Sequence, residues 1–212
     1  LFPYTTLFRS WHPKRGFHDP YHGQADIAKK TIRCVGKASE RMQEDALRIL
    51  RALRFHCTLH FTIEEETVQA IRTHAHLLSY ISRERIREEF NRILLQDYPD
   101  TLQLLKEMRV LDTIAAGYTK LMNKEQNNPW HIYDVFTHTD VALNHTKGMA
   151  LEGKLAIIFH DTGKPACETL DADGISHYYG HAQKSVELAR CWLKKLHYDN
   201  RTIQRVLRCI AY

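Results

Sequence analysis

The most constraining feature of this sequence is the segment EDALRILRALRF at residues 44–55, in which apolar and charged residues recur with a helical period. At about 100° per residue, this period predicts a helix with two distinct faces. The apolar face can pack against a partner helix and consists of Ala46, Leu47, Ile49, Leu50 and Leu53. The opposite face consists of Glu44, Asp45, Arg48, Arg51 and Phe55. The segment therefore predicts a core helix that also carries a dense charged surface.

Helical patterns continue along most of the chain, and strand-type alternation is rare. We predict a first long helix over residues 37–57, followed by helices over residues 64–74, 83–95, 100–111, 130–145, 151–161, 181–196 and 200–212. Ser82 and Pro99 are residue types that favour the start of a helix. Asp173-Gly174 lies between two short β-prone pieces and predicts a small hairpin within residues 167–180. The chain is thus predicted to be mainly α.

The overall composition indicates what kind of binding partner and what cellular compartment to expect. The 212 residues carry a formal net charge of +5, which favours polyanionic partners without requiring them. The five cysteines form no CxxC pair, so a reduced, cytoplasmic compartment fits better than a disulfide framework. No apolar run approaches the ~18 residues of a membrane span, so we expect no membrane association.

The charged face of the first helix has two interpretations. Glu44 with Arg48 and Asp45 with Arg48 have the spacing of intrahelical ion pairs, each worth about 0.2–0.5 kcal/mol on a solvated helix. Alternatively, an aspartate beside an arginine offers acceptors and donors in one plane, as the edge of a nucleobase requires. Arg54 lies at the border of the apolar face and is expected either to snorkel or to point at a ligand. Spacing alone favours the ion pairs.

Four segments together resemble a known family. DPYHGQADIAKKTIRCVG, EDALRILRALRF, LHFTIEEET and ISRERIREEFNRIL have the order and spacing of the bacterial class II tRNA nucleotidyltransferase / poly(A) polymerase family, the CCA-adding enzymes. The resemblance covers nearly all of residues 16–212, and the EDxxRxxRAxRF element is highly specific. It reverses the preference for ion pairs, because in that family this helix acts as a protein template for the incoming base.

The resemblance implies a role for each charged residue of the helix. Asp45 and Arg48 would pair with the base edge of CTP or ATP, and Glu44 would orient that pair. Arg51 and Arg54 would complete the nucleotide-binding site. The resemblance also implies tRNA as the partner and Mg²⁺ as a cofactor; it does not fix the oligomeric state, nor whether CCA, CC, A or poly(A) is added.

Two departures from the family pattern affect these expectations. The family's catalytic head carries a GGxVRD-like turn, a DxD pair that holds Mg²⁺ and the triphosphate, and an RRDFT-like motif. The chain has neither the turn, nor a DxD pair placed behind such a turn, nor the RRDFT-like motif. We therefore predict no catalytic residues for nucleotidyl transfer and no polymerisation by this chain. His60 stands where relatives usually have the glycine that suits a left-handed helix end.

A set of histidines in the second half forms a second candidate site. HIYDVFTHTD, AIIFHDTGKP and ISHYYGHAQKS place histidine and aspartate, which are ligands for divalent metals, on successive elements. A lone histidine of this kind would usually be a packed core residue, but a His-Asp doublet followed by TGKP is much rarer. The pattern resembles the HD-domain phosphohydrolases. That resemblance implies His138, His160, Asp161 and His181 as metal ligands, with Mg²⁺, Mn²⁺ or Ni²⁺ as the ion, and Lys164 as a phosphate contact; His145, His177 and His197 are predicted to be surface residues.

The resemblances imply an order of domains. Residues 1–10 are predicted to be a non-native, adapter-like segment, and residues 11–36 the C-terminal remnant of a nucleotidyltransferase head with a short β element. A helical neck and body would occupy residues 37–116, a linker residues 117–129, and a truncated α-helical HD domain residues 130–212.

Three functions compete. The first is a fragment of a tRNA nucleotidyltransferase that selects CTP or ATP and binds tRNA. The second is a metal-dependent HD-domain phosphohydrolase acting on nucleotides or cyclic phosphates. The third is a helical tRNA-binding module whose charged face is only structural.

Overall fold

The computed structural model describes residues 10–13, 16–123 and 133–212, and within them helices dominate. Most of the predicted adapter-like segment, the polar core of the predicted linker and the predicted helix start at Trp130 lie outside these residues. The helices are α1 (Gly23–Ala28), α2 (Ala38–Glu44), α3 (Leu47–Leu59), α4 (Glu65–His74), a 3₁₀ helix (Ala75–Tyr80), α5 (Arg83–Leu94), α6 (Thr101–Glu107), α7 (Leu111–Ile114), α8 (Tyr118–Met122), α9 (Val135–Asn144), α10 (Leu151–Phe159), α11 (Lys164–Cys167), α12 (His181–Lys195) and α13 (Asn200–Ala211). The prediction of a mainly α fold is confirmed.

Within the described residues the strands are short and occur in three pairs. β1 (Ser10–His12) and β2 (Gly16–His18) are antiparallel and form the predicted β element near the N-terminus. β3 (Thr31–Ile32) and β4 (Thr62–Ile63) are parallel, with Ile32 opposite Ile63. β5 (Thr169–Leu170) and β6 (Ser176–His177) form the hairpin predicted from Asp173-Gly174. The chain also contains Asp-Ala-Asp at residues 171–173, but this DxD spelling belongs to the hairpin turn, where Asp171 accepts backbone N–H groups.

The prediction of one continuous helix over residues 37–57 is wrong. Asp45 has an extended backbone, with φ −150° and ψ 98°, and separates α2 from α3. Its Oδ1 atom accepts a hydrogen bond from Leu47 N at 3.1 Å, which satisfies one of the backbone donors at the start of α3. Aspartate competes with the helix in this way whenever its short side chain can reach a nearby N–H, so the break lies at the most polar point of the segment.

The predicted apolar face of α3 is buried. Leu47, Ile49, Leu50 and Leu53 are all at most 3% exposed, and α3 packs chiefly against α5. α3 ends at His60, which adopts the left-handed conformation with φ 53° although it is not glycine. Its ring stacks on Tyr98, with centroids 5.5 Å apart, which helps to offset the strain of that conformation.

The two halves of the chain share one core. A single cluster of buried apolar side chains extends from Ile32 to Ile210. Polar contacts add to it: Tyr118 donates to Ile158 O at 2.7 Å, and the backbone N–H of Leu102 donates to the buried Asp140 carboxylate at 3.0 Å. The domain division inferred from the sequence stays a prediction, and the core is continuous across it. Among the described residues, no helix combines the length and apolar character that crossing a membrane requires.

Candidate nucleotide-recognition face and candidate metal centre

The charged face, defined as Glu44, Asp45, Arg48, Arg51 and Arg54, begins at the break between α2 and α3. The two carboxylate oxygens of Asp45 have different neighbours. Oδ1 binds the Leu47 backbone, and Oδ2 lies 3.3 Å from the guanidinium of Arg85, which comes from α5. The extended backbone and these two contacts fix the carboxylate at the end of the helix. Arg85 is a neighbour that sequence spacing does not reveal, because 40 residues separate it from Asp45.

Arg48 and Glu44 contact each other across the break. Arg48 Nη1 lies 2.8 Å from Glu44 Oε2 and donates to Arg41 O at 2.7 Å, and only 12% of the Arg48 side chain is exposed. Arg41 also pairs with Glu44. Hydrogen bonds from Arg48 and then Arg41 hold the pKa of the Glu44 carboxyl below its ordinary value. Glu44 therefore contacts Arg48 directly, and its role in orienting a base-reading pair stays a prediction.

Arg51 and Arg54 lie beside a buried carboxylate from α5. Arg54 Nε donates to Glu89 Oε2 at 2.8 Å, and Arg51 Nε lies 3.6 Å from Glu89 Oε1. The Glu89 side chain is only 5% exposed. Arg54 therefore has a buried protein partner that spacing along its own helix does not predict, and its place in the nucleotide site stays a prediction. Glu89 lies on the apolar face of α5 with Ile86, Phe90 and Ile93. That position in the sequence pattern could have indicated a buried carboxylate.

The second candidate site joins α9 to the end of α10. His138, His160 and Asp161 each offer one ligand atom, and these atoms lie within 4.8 Å of one another. Asp161 Oδ2 lies 3.2 Å from His160 Nε2 and 3.8 Å from His138 Nε2. His181, at the start of α12, brings its Nε2 atom to 3.5 Å from Asp161 Oδ1. The four residues predicted as metal ligands thus converge, and we refer to them with Lys164 as the His/Asp cleft.

Backbone carbonyls orient two of these histidines. His160 Nδ1 lies 2.7 Å from Ile157 O, and His181 Nδ1 lies 2.7 Å from Tyr178 O. When Nδ1 donates to a carbonyl, the neutral ring presents the lone pair of Nε2, and in both residues Nε2 faces Asp161. This is the arrangement that imidazole metal ligands adopt.

Gly163 allows α11 and α12 to approach closely. Its N–H donates to Ser185 Oγ at 2.8 Å, and a Cβ atom at this position would lie only 2.3 Å from the His181 carbonyl oxygen. The backbone of α12 therefore leaves no room for a side chain at residue 163. Glycine in the TGKP segment sets the distance between Asp161 on one side and His181 on the other.

Asp161 carries the negative charge of the His/Asp cleft. Burial raises the pKa of its carboxyl, but His160 and Lys164 more than offset that effect and hold it below its ordinary value. The Lys164 ammonium lies 2.8 Å from Oδ2 as an ion pair, and that oxygen has no hydrogen bond of good geometry although it is buried. A buried carboxylate oxygen of this kind, ringed by imidazole nitrogens, fits a divalent cation.

The His/Asp cleft opens to solvent in a cavity of about 390 Å³. Its remaining wall comes from the hairpin and the residues after it, namely Ser176, His177, Tyr178 and Tyr179. The prediction of His177 as a surface residue misses its place in this wall, since the hairpin folds back over the helix ends. His145 and His197 are both exposed, as predicted, and His197 also forms an ion pair with Glu84 on α5.

The comparisons with known proteins agree on a single family. A family model described as "Probable RNA and SrmB- binding site of polymerase A" matches residues 60–121. The CCA-adding enzyme of Streptococcus uberis is 52% identical over 77 residues, which is 36% of this chain and 19% of that protein. The CCA-adding enzyme of Bacillus cereus strain Q1 is 47% identical over 90 residues, or 42% of this chain and 22% of that protein. Over these segments the chain is similar to the CCA-adding enzymes.

A solved CCA-adding enzyme shares the fold of nearly the whole chain. The crystal structure of the Bacillus stearothermophilus CCA-adding enzyme in complex with CTP matches with a TM-score of 0.66 and 24% identity, over 96% of this chain and 44% of that one. The chain thus spans less than half of that relative and about a fifth of the curated ones. The sequence matches show similarity over less than half of this chain, and the structural match extends the shared fold to the second half.

Proposed function

We propose that this chain is the nucleotide-selecting and RNA-binding part of a tRNA nucleotidyltransferase that adds nucleotides to tRNA 3′ ends. The observation that carries the proposal is the pair formed by Asp45 and Arg48 at the break between α2 and α3. Asp45 is fixed by the Leu47 N–H and Arg85, and Arg48 by Glu44 and the Arg41 carbonyl. The base of a bound nucleotide would then contact the Asp45 carboxylate as an acceptor and the Arg48 guanidinium as a donor, both already held in position by the protein.

The chemistry of the pair suits a base edge. A carboxylate accepts from an exocyclic amino group, and a guanidinium donates to ring nitrogen or carbonyl acceptors. CTP and ATP both carry such an amino group, and the relative of known structure was solved with CTP. Arg51 and Arg54 would add positive charge near the nucleotide while remaining paired with Glu89. Phosphoryl transfer itself would use Mg²⁺ and carboxylates of a head domain that this segment does not include.

The RNA-binding role rests on residues 60–121, which match the family described as a probable RNA-binding site. The partner would be tRNA, held through phosphates and shape by the helical surface rather than by base sequence. A cytoplasmic location belongs to the same proposal and follows from the substrate and from the five free thiols.

The test is CTP affinity in a full-length CCA-adding enzyme that contains this segment. Asp45→Ala and Arg48→Ala are each expected to weaken CTP binding by about 1–3 kcal/mol, as for the loss of one bidentate base contact. Arg205→Ala is the matched control, because Arg205 also pairs with a glutamate, Glu152, but lies on α13. CTP affinity that is unchanged in both variants would contradict the proposal.

A second function is supported by the His/Asp cleft. We propose that His138, His160, Asp161 and His181 hold a divalent metal ion and that Lys164 binds the phosphate of a phosphoester. A bound ion of this type supplies a water of lowered pKa and polarises a phosphoryl oxygen. The protein's own contribution is to orient Nε2 of two histidines and to place an ammonium beside Asp161. Three imidazoles to one carboxylate favour Mn²⁺ or Ni²⁺ over Mg²⁺, which prefers oxygen ligands.

Metal uptake by this chain tests the second function. The chain is dialysed against Mn²⁺ or Ni²⁺, freed of excess ion, and its metal content measured by mass spectrometry. We expect about one ion per chain, lost on His160→Ala and retained on His145→Ala, whose side chain is exposed elsewhere. Absence of uptake by the unmodified chain would remove this function and leave the nucleotide-selecting role untouched.

A further inference from the structure

Two aromatic rings stand at the mouth of the His/Asp cleft, and neither function assigned above uses them. His177, at the end of β6, and Tyr179, two residues further along the chain, both line the cleft. Their rings are nearly parallel, with an interplanar angle of 8° and centroids 5.6 Å apart. Tyr179 is 80% exposed, so most of its ring is accessible to a ligand.

The hairpin holds the His177 ring in place. His177 Nε2 lies 2.9 Å from Asp171 Oδ2, and Asp171 in turn accepts hydrogen bonds from the backbone N–H groups of Asp173 and Ile175. The His177 ring is thus anchored to the turn of the hairpin rather than being able to rotate freely. Tyr179 lies against this anchored ring and presents its outer face to solvent.

From this geometry we infer that His177 and Tyr179 form a stacking platform for a planar base, so that the His/Asp cleft selects nucleoside phosphates over other phosphate esters. The inference rests on the proposed metal and phosphate site of that cleft. The cavity of about 390 Å³ is lined by both rings and by Asp161 and Lys164. A ligand with its phosphate beside Lys164 can therefore extend toward the two rings.

The energetics favour a sizeable effect. Stacking on an aromatic side chain tolerates any base, because every base has a flat π face. One stacked base is expected to contribute about tenfold in affinity. The selectivity is for the presence of a base and not for its identity.

Two probes that differ only in the base test the platform. The affinity of the full chain for adenosine 5′-monophosphate and for ribose 5-phosphate is measured calorimetrically with and without saturating Mn²⁺. The Mn²⁺-dependent part of binding is assigned to the His/Asp cleft, which separates it from binding at the charged face. We expect adenosine 5′-monophosphate to bind about tenfold more tightly than ribose 5-phosphate.

Variants locate the preference. Tyr179→Ala is expected to bring the ratio of the two affinities close to one while ribose 5-phosphate binding is unchanged, and Tyr179→Phe is expected to keep the ratio. Tyr80→Ala is the matched control, because Tyr80 is also 83% exposed but lies in the first half of the chain.

Each contrary result has a distinct meaning. Equal affinity for the two probes in the unmodified chain overturns the platform and leaves the metal site standing. Equal weakening of both probes by Tyr179→Ala shows that Tyr179 supports the cleft and not the base, which also overturns the platform. If neither probe binds with Mn²⁺, the metal and phosphate function itself fails, and the platform fails with it.

Discussion

The charged face and the His/Asp cleft both place carboxylates beside cationic groups, but they arrange them differently. In the charged face, arginines outnumber the carboxylates and every carboxylate has an arginine or backbone partner within the protein. In the cleft, one deeply buried carboxylate is surrounded by imidazoles, and one of its oxygens has no hydrogen bond. Paired guanidinium groups present fixed donors to a neutral base edge, whereas imidazoles around a carboxylate present ligands to a cation. This difference in residue type supports the two separate proposals, base recognition by the charged face and metal binding by the cleft.

The largest expected effect comes from removing Glu89, the buried partner of two arginines of the charged face. Glu89→Ala removes the buried partner of Arg51 and Arg54 and is expected to lower the free energy of unfolding by about 3 kcal/mol. We expect the lower end of the usual range, because the two arginine side chains keep 23% and 19% exposure. Urea denaturation measures the change. Glu88→Ala is the control, since Glu88 is exposed on the same helix, and an equal loss in the two variants would show that Glu89 carries no special stability.

A smaller loss of stability is expected when a single methyl group is added at Gly163, beside the cleft. Gly163→Ala places a Cβ atom against the His181 backbone and is expected to cost about 1–3 kcal/mol of stability, together with weaker Mn²⁺ uptake. Gly153→Ala is the matched control, because its Cβ would meet only the flexible end of Met149. Thermal unfolding and metal content are measured on both. Normal metal uptake by Gly163→Ala would show that the approach of α11 to α12 does not set the site.

The contact between the halves gives a pH-dependent prediction. Hydrogen bonds from Lys154 and then from Gly148 N hold the pKa of the Asp97 carboxyl below its ordinary value. The folded state therefore binds this proton less readily than the unfolded state, and the stabilisation is present above the unfolded pKa, about 4. It is lost as pH falls through the lower, folded pKa.

Asp97→Asn should accordingly flatten the fall in unfolding free energy below pH 4, as measured by urea denaturation over a series of pH values. Asp173→Asn, which changes an exposed aspartate in the hairpin turn, is the control and should keep the acid slope. Identical acid slopes for the Asp97 variant and the unmodified chain would contradict the prediction.

Features set by neighbours in the chain were predictable from the sequence. The buried face of α3 at Ile49, Leu50 and Leu53 follows from helical period, and the β5–β6 hairpin follows from the Asp-Gly turn. The convergence of His138, His160 and Asp161 followed from the motif resemblance. In each case the information lies within a few residues or in a family pattern.

Features set by distant residues were not predictable. The break at Asp45 depends on whether its carboxylate captures the Leu47 N–H, and helix propensity alone does not decide that competition. The contact between Arg54 and Glu89 joins residues 35 positions apart, and the place of Tyr179 in the cleft depends on how the hairpin packs. Sequence spacing along one helix contains no information about the partner helix.

Discrimination among the four nucleotides directly tests whether Asp45 and Arg48 contact the base of the incoming nucleotide. A full-length CCA-adding enzyme containing this segment is compared with its Asp45→Asn variant for incorporation of CTP, ATP, UTP and GTP into tRNA. Asparagine keeps one acceptor oxygen but replaces the other with a donor, so it favours base edges that carry a carbonyl where cytosine and adenine carry an amino group. We expect the preference for CTP over UTP to fall by about 5-fold or more. An unchanged order and ratio of the four nucleotides would show that Asp45 and Arg48 do not read the base.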